Sequence, residues 1–228
     1  MTTLDRDDEA PIHTAVVKRW RPGVGLDDLR LIASSPKWKK AFACDRGKSK
    51  QSVLHIAATG SSLELVRFLV EQGQKPTARD ARTRTPVHMA ITSGNSEAFH
   101  YFLDVVGERL LAMRGERGRT LLHQAARHAR WDVVDFLLRR GANPTVRDHT
   151  GKTAAQSARA RAAEDFLEVE KNFGRDVQRY EQDARSRLKM ADYLEGIEKE
   201  WRAGQRFPSA PTQATEGLVF GRARAVQG

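Results

Sequence analysis

The chain has 228 residues, of which 39 are lysine or arginine and 29 are aspartate or glutamate, so its formal net charge is +10. This surplus favours an acidic partner. Cys44 is the only cysteine, which excludes a disulfide within the chain and favours a reducing compartment. The acidic start MTTLDRDDEAP is unlike a secretory signal, and no run nears the roughly 18 apolar residues of a membrane helix. We therefore expect a cytoplasmic protein without membrane contact.

A four-residue pattern recurs along most of the chain, in the forms APIH, SVLH, TPVH, TLLH and TAAQ. Its fourth residue is a histidine in four copies and a glutamine in the last, at His13, His55, His88, His123 and Gln156. These positions are separated by 42, 33, 35 and 33 residues. A glycine follows 18 residues later in three copies, at Gly73, Gly141 and Gly174. Such a period indicates a protein built from stacked repeats.

Each copy is predicted to be a pair of antiparallel helices followed by a polar turn. Thr85, Thr120 and Thr153 are suitable helix N-caps, and Pro86 fits the first helical turn. In the copy at 120–144, apolar residues recur at helical spacing in two stretches, at Leu122, Ala125 and Ala126 and at Trp131, Val134, Leu137 and Leu138. Gly141 and Pro144 then favour the end of the second helix.

These residues and the period near 33 resemble the ankyrin repeat, whose signature reads Thr-Pro-Leu-His-x-Ala. The resemblance implies an all-α solenoid of about five helical hairpins with a C-terminal helical extension. We predict a divergent N-terminal capping repeat with an insertion at 1–44, repeats at 45–174, an amphipathic helix at 175–204 and an irregular tail at 205–228. The resemblance also implies that the general role is protein binding without enzymatic activity. The chain would then be an adaptor, an inhibitor or a targeting subunit.

The repeated histidines do not predict a metal site. Corresponding histidines lie a whole repeat apart, which is too far for them to share one ion. The resemblance implies instead that each histidine bonds locally and ties neighbouring turns together. No nucleophile motif or paired carboxylates are evident, so we expect no catalytic residue, no cofactor and no metal.

Basic residues concentrate in the four segments that join the repeats, at 45–51, 79–84, 114–119 and 147–152. These segments hold eleven basic and four acidic residues, a surplus of seven positive charges. This equals the whole positive surplus of residues 45–152. If the repeats stack, these loops form a basic ridge, to which we expect an acidic protein surface to bind. Reversing Arg82, Arg84, Arg117 and Arg119 to glutamate should weaken that association. The adjoining helix surface contributes Arg127 and His128, and Thr59 and Thr92 occupy matching places in earlier repeats. The predicted partner-binding residues are Arg46, Lys48, Lys50, Arg79, Arg82, Arg84, Arg114, Arg117, Arg119, Arg127, His128, Arg147 and Lys152.

Two alternatives remain open at this point. The arginine-rich ridge could contact the phosphates of a nucleic acid, although these segments contain no aromatic residue for base stacking. Alternatively, the C-terminal helix could mediate self-association into a structural assembly. Apolar residues recur every three or four positions from Val177 to Trp201. We expect the first half of this helix to cap the last repeat. Docking of the second half on another helix, through Tyr193, Leu194, Ile197 and Trp201, stays open.

Overall fold

The computed structural model describes residues 50–60, 62–171 and 177–204. In this part the chain is helical and forms no β-strand, apart from an isolated bridge between Arg114 and Thr120. The predicted first repeat at 1–44, Arg46, Lys48, Gly174 and the tail at 205–228 lie outside the described residues.

Three short helical hairpins follow one another and lead into a fourth, longer pair. The hairpins are α1 (Val53–Ala57) with α2 (Leu63–Glu71), α3 (Pro86–Ser93) with α4 (Ser96–Val106), and α5 (Leu121–Arg127) with α6 (Trp131–Arg139). The longer pair is α7 (Ala154–Lys171) with α8 (Val177–Arg202). Two 3₁₀ segments, Gly107–Ala112 and Glu116–Gly118, lie between α4 and α5.

The first helix of each hairpin begins at the predicted cap. His123 and Thr120 form a reciprocal capping box, in which Thr120 Oγ1 accepts from the His123 backbone N–H at 3.4 Å, and His123 Nδ1 accepts from the Thr120 backbone N–H at 3.4 Å. In the last copy Gln156 takes the place of the histidine, because its Oε1 accepts from the Thr153 backbone N–H at 3.1 Å. Gly141 has the expected left-handed backbone, with φ of 81°, just beyond α6.

The hairpins share one continuous interior. The first helices contact one another in sequence, α1 against α3, α3 against α5 and α5 against α7. Second helices also meet, since the rings of Phe99 in α4 and Phe136 in α6 lie 5.9 Å apart, edge to face. Buried residues of every hairpin belong to a single core. The predicted all-α solenoid is therefore confirmed for this part of the chain.

The fifth copy departs from the predicted hairpin. We expected a short helix, a turn and a second short helix before Gly174, but α7 is continuous from Ala154 to Lys171. Where the earlier copies turn, at TGSS, TSGN and RHAR, the fifth reads ARAA. Three of its four residues are alanine, which has the highest helix propensity, so the helix continues. The second helix of this pair is instead α8.

The helix α8 lies antiparallel to α7 and covers the end of the stack. Arg159, near the start of α7, bonds Asp192 at 2.7 Å and Glu195 at 2.8 Å near the end of α8. In the second half of α8, Met190 and Ala191 are fully buried and belong to the main core. This half therefore contributes directly to the cap that we expected from the first half.

The docking residues predicted on α8 are mostly occupied within the chain. Leu194 is fully buried and Ile197 is 6% exposed, because both face the core of the stack. Tyr193 is half-buried, packs against that core and has its ring centroid 5.7 Å from that of Trp131. Trp201 is half-buried. The expectation that Leu194 and Ile197 form a free docking face is therefore wrong for the folded chain.

Candidate functional site

The three described joining segments adopt the same compact turn, which we call fingers 1 (79–84), 2 (114–119) and 3 (147–152). In each, the backbone N–H of the second residue donates to the carbonyl oxygen of the sixth. These bonds run from Asp80 to Arg84 at 2.9 Å, from Gly115 to Arg119 at 2.8 Å and from Asp148 to Lys152 at 2.9 Å. Equivalent residues of the three fingers can therefore be compared position by position.

The first residue of each finger is an arginine, and we call these three the ladder arginines: Arg79, Arg114 and Arg147. The first two of them connect neighbouring fingers. Arg79 Nη1 donates to the carbonyl of Arg114 at 2.8 Å, and Arg114 Nη1 donates to the carbonyl of Arg147 at 3.1 Å. Each also donates to a carbonyl of its own finger. These bonds hold the fingers side by side, although all three ladder arginines are exposed.

The sixth residue of fingers 1 and 2 is an arginine paired with a buried carboxylate. Arg84 pairs with Asp80 of its own finger at 2.8 Å, and Arg119 lies 3.6 Å from Asp148 of finger 3. Burial alone would raise the pKa of the Asp80 carboxyl, but hydrogen bonds from Arg84 hold it below its usual value. The Asp148 carboxylate also accepts from Thr150 and from the Lys152 backbone. Arg84 and Arg119 are therefore braces within the fold.

The fourth residue of fingers 1 and 2 remains available, and we call this pair the tip arginines. The side chains of Arg82 and Arg117 are exposed, and their guanidinium groups make no hydrogen bond or ion pair with any described residue. Finger 3 has Thr150 at this place, bonded to Asp148. Lys50 and Lys152 are also exposed. Within the basic surface of the fingers, Arg84 and Arg119 are therefore paired with buried carboxylates, whereas the two tip arginines bond no described residue.

Two of the repeated histidines bond first helices to fingers, as the family resemblance implies. The Nε2 atoms of His55 and His123 lie 3.0 Å from the carbonyl oxygens of Arg84 and Lys152, respectively. His88 is buried beside finger 2, and a Cβ at Gly115 would lie 2.5 Å from its Nε2. A side chain at position 115 would therefore require the His88 imidazole to shift.

The helix-surface candidates are drawn into contacts between repeats. Arg127 donates to the Ser157 carbonyl at 3.3 Å and pairs with Glu164 at 3.5 Å. His128 is half-buried, and burial together with the charge of nearby arginines, Arg187 foremost, lowers its pKa to about 4. His128 is therefore neutral at pH 7. The hydroxyl of Thr92 accepts from the Gln124 side chain at 2.6 Å, whereas Thr59 is exposed.

Arg130 has a structural role that our sequence reasoning missed. Its guanidinium donates to the carbonyls of Ile91 at 3.2 Å and Thr92 at 3.1 Å, at the C-terminal end of α3. A positive charge there also complements the helix dipole. Gly94 permits this approach, since a Cβ at that position would lie 2.5 Å from the guanidinium carbon. The signal in the sequence was the glycine that ends α3.

Thr83 is strained compared with its equivalents, and its replacement by glycine is expected to stabilise the chain by about 1 kcal/mol. Its φ is 62°, whereas the same place in fingers 2 and 3 is held by Gly118 at 69° and Gly151 at 77°. Ala81→Gly, in the same finger, is the control and should destabilise, because Ala81 lacks a left-handed backbone. Urea unfolding measures both, and equal losses from the two variants would contradict the strain at Thr83.

Among residues 50–60, 62–171 and 177–204, no group of three or more His, Cys, Asp or Glu side chains is placed to hold a metal ion. No helix in the same part of the chain is long and apolar enough to cross a membrane. The site is a basic surface that stacked helical hairpins hold in place. Repeat proteins that bind other macromolecules have this arrangement.

Comparison with known families identifies which repeat this is. The family model described as ankyrin repeats (3 copies) matches residues 30–112 and 54–148, which together cover more than half of the chain. The chain belongs to the ankyrin-repeat family. Ankyrin repeats are protein-interaction modules, and the chain carries such a module.

Individual relatives are similar over part of this chain. B-cell lymphoma 3 protein of Homo sapiens is 30% identical over 144 residues, which cover 62% of this chain and 31% of that protein. NF-kappa-B inhibitor alpha of Sus scrofa is 25% identical over 149 residues, covering 64% of this chain and 46% of the relative. Diacylglycerol kinase zeta of Rattus norvegicus is 34% identical over 80 residues, 35% of this chain and 9% of the kinase. The chain thus spans less than half the length of these relatives.

Proposed function

We propose that this chain is a non-catalytic binding module that contacts an acidic surface of a partner protein through its basic fingers, with Arg82 and Arg117 at the centre of the contact. The observation that carries this proposal is the pair of exposed guanidinium groups on adjacent fingers, which bond no residue that the structure describes. The ladder arginines bonded to neighbouring backbones support it, because a held guanidinium loses less conformational entropy when a partner binds.

The relatives support a regulatory or adaptor role. NF-kappa-B inhibitor alpha is, by its name, an inhibitor of another protein. By analogy the present chain would act as an adaptor, inhibitor or targeting subunit. A protein partner is favoured over nucleic acid because the finger sequences contain arginine without aromatic residues for base stacking.

The structure refines which residues a test should change. Reversing Arg84 or Arg119 would leave Asp80 or Asp148 unpaired and buried, and so would disturb the finger itself. The double variant Arg82→Glu/Arg117→Glu reverses only side chains without bonds to described residues. Its matched control is Arg179→Glu/Lys199→Glu, which makes the same change of net charge on exposed residues of α8.

The tip reversal is expected to weaken partner binding by roughly tenfold or more and to reduce its salt dependence, because each reversal replaces attraction by repulsion. Proteins captured by the intact chain are identified, and the affinity of each is measured with both variants at two salt concentrations. Poly-L-glutamate and duplex DNA serve as defined probes.

Equal losses in the tip and α8 variants would show that only net charge matters and would contradict a finger site. Retained protein binding, together with loss of DNA binding on tip reversal, would establish the nucleic-acid alternative instead.

A further inference from the structure

A groove of about 640 Å³ lies where Trp131, the first residue of α6, faces the first half of α8. Its remaining walls are contributed by α8 alone, at Gln178, Glu181, Gln182, Arg185, Ser186 and Lys189. The fingers are at the other end of the hairpins, because each finger follows the end of a second helix whereas Trp131 begins one. The groove is therefore separate from the finger surface.

One wall of the groove is aromatic. Trp131 is a large apolar side chain that remains 37% exposed. Its ring is held against Tyr193 of α8, with centroids 5.7 Å apart and planes inclined by 53°. A partly exposed indole fixed in this way presents a flat apolar surface of the kind that anchors partner side chains at interfaces.

The α8 wall presents amides at a regular spacing. Gln178 and Gln182 are exposed, and their side chains form no hydrogen bond with the residues that the structure describes. They lie one helical turn apart, which is about 6 Å along the axis. Alternate residues of an extended chain are about 6.7 Å apart. Two side-chain amides, each with donors and an acceptor, therefore match the alternate peptide groups of an extended segment.

Charge in the groove favours an acidic ligand. Glu181 and Arg185 neutralise each other through an ion pair of 3.3 Å. Lys189 lies one turn beyond Arg185, is exposed and has no ion-pair partner among the described residues. The remaining charge at this end of the groove is therefore positive.

We propose that this groove binds an extended peptide segment of a partner protein. An apolar side chain of the segment packs on Trp131, its backbone bonds to Gln178 and Gln182, and an acidic side chain lies beside Lys189. The chain then has two separate contact surfaces, the groove for a linear segment and the fingers for a folded acidic surface.

The probe is a set of short linear peptides selected from a random displayed library on the full chain, then synthesised with a fluorescent label. Trp131→Ala is expected to weaken their binding roughly tenfold, and Gln178→Ala/Gln182→Ala several-fold. Leu167→Ala, an exposed apolar residue of α7 outside the groove, is the matched control and should leave binding unchanged. Gln182→Trp fills the groove at an exposed position without removing a packed side chain, and should also abolish binding.

The tip reversal Arg82→Glu/Arg117→Glu separates this proposal from the finger proposal, since it should leave peptide binding intact. Peptides that bind Trp131→Ala and Gln182→Trp as tightly as the unchanged chain would overturn the groove. Peptides lost only on tip reversal would also overturn it, as would bound peptides whose circular dichroism shows a helix.

Discussion

Replacing Arg187 with methionine is expected to lower the free energy of unfolding by about 3 kcal/mol, because it leaves a buried carboxylate without its main partner. Arg187 Nη1 bonds Asp165, whose side chain is 2% exposed, and Arg187 Nε donates to the Arg127 carbonyl at 2.7 Å. One side chain thus fastens α8 to both α7 and α5. Arg161 lies 3.3 Å from Asp165 and still pairs with it in the variant. The expected loss in free energy of unfolding therefore lies at the lower end of the range for a broken buried ion pair.

The double variant Arg187→Met/Asp165→Leu is the control, because it removes both charges together. Replacing a buried ion pair by apolar side chains is often close to neutral, so the double variant should recover most of the lost stability. Urea unfolding of the full chain gives both values, and hydrogen exchange in α8 shows whether the loss is local. A double variant as unstable as Arg187→Met would show that the pair does not fasten α8 in this way.

Stability is expected to fall as the pH is lowered from about 6.5 to about 4, and His88→Gln should make that fall shallower. His88 is buried, and burial, together with the charge of Arg79, lowers its pKa to about 4. An unfolded histidine takes up a proton near pH 6.5. Between these values the unfolded chain binds the extra proton, so folding is penalised by up to about 3 kcal/mol at the acidic end.

Glutamine suits this position because Gln156 already performs the capping role in the last copy. At pH 7 His88→Gln should therefore cost little, and as the pH falls toward 4 the variant should become more stable than the unchanged chain. Val87→Ala is the control, since it removes a buried methyl pair without removing a titratable group and should shift the curve in parallel. Parallel curves for both variants would show that His88 does not titrate in this window.

The repeat pattern allowed much of the fold to be predicted, because the residues that define it act locally. Thr85 and Thr120 cap helices that begin beside them, and Gly141 ends a helix just before it. The continuous α7 was missed for a related local reason. The repeat period predicted a hairpin in the fifth copy, although helix-forming residues stand there in place of the turn residues.

The sequence could not predict which finger arginines have structural partners and which remain available for binding. The three arginines Arg79, Arg82 and Arg84 are the same residue in the sequence. Arg79 bonds the next finger, Arg84 pairs with Asp80 of its own finger, and the Arg82 guanidinium bonds no described residue. The same limit applies to α8, where Leu188 fits the apolar spacing between Val177 and Trp201 but is only half-buried. The structure buries Arg187 instead, since its partners on α5 and α7 are 60 and 22 residues away in the chain.

The proposed binding function requires the two neighbouring tip arginines to touch a partner protein. Site-specific cross-linking tests this most directly: a photoreactive amino acid replaces Arg82 or Arg117 in the full chain, and Arg179 or Lys199 for comparison. With the captured partner bound, cross-links are expected from positions 82 and 117 to a segment rich in aspartate and glutamate. Cross-links from positions 179 and 199, with none from the two tips, would place the interface elsewhere and contradict the account.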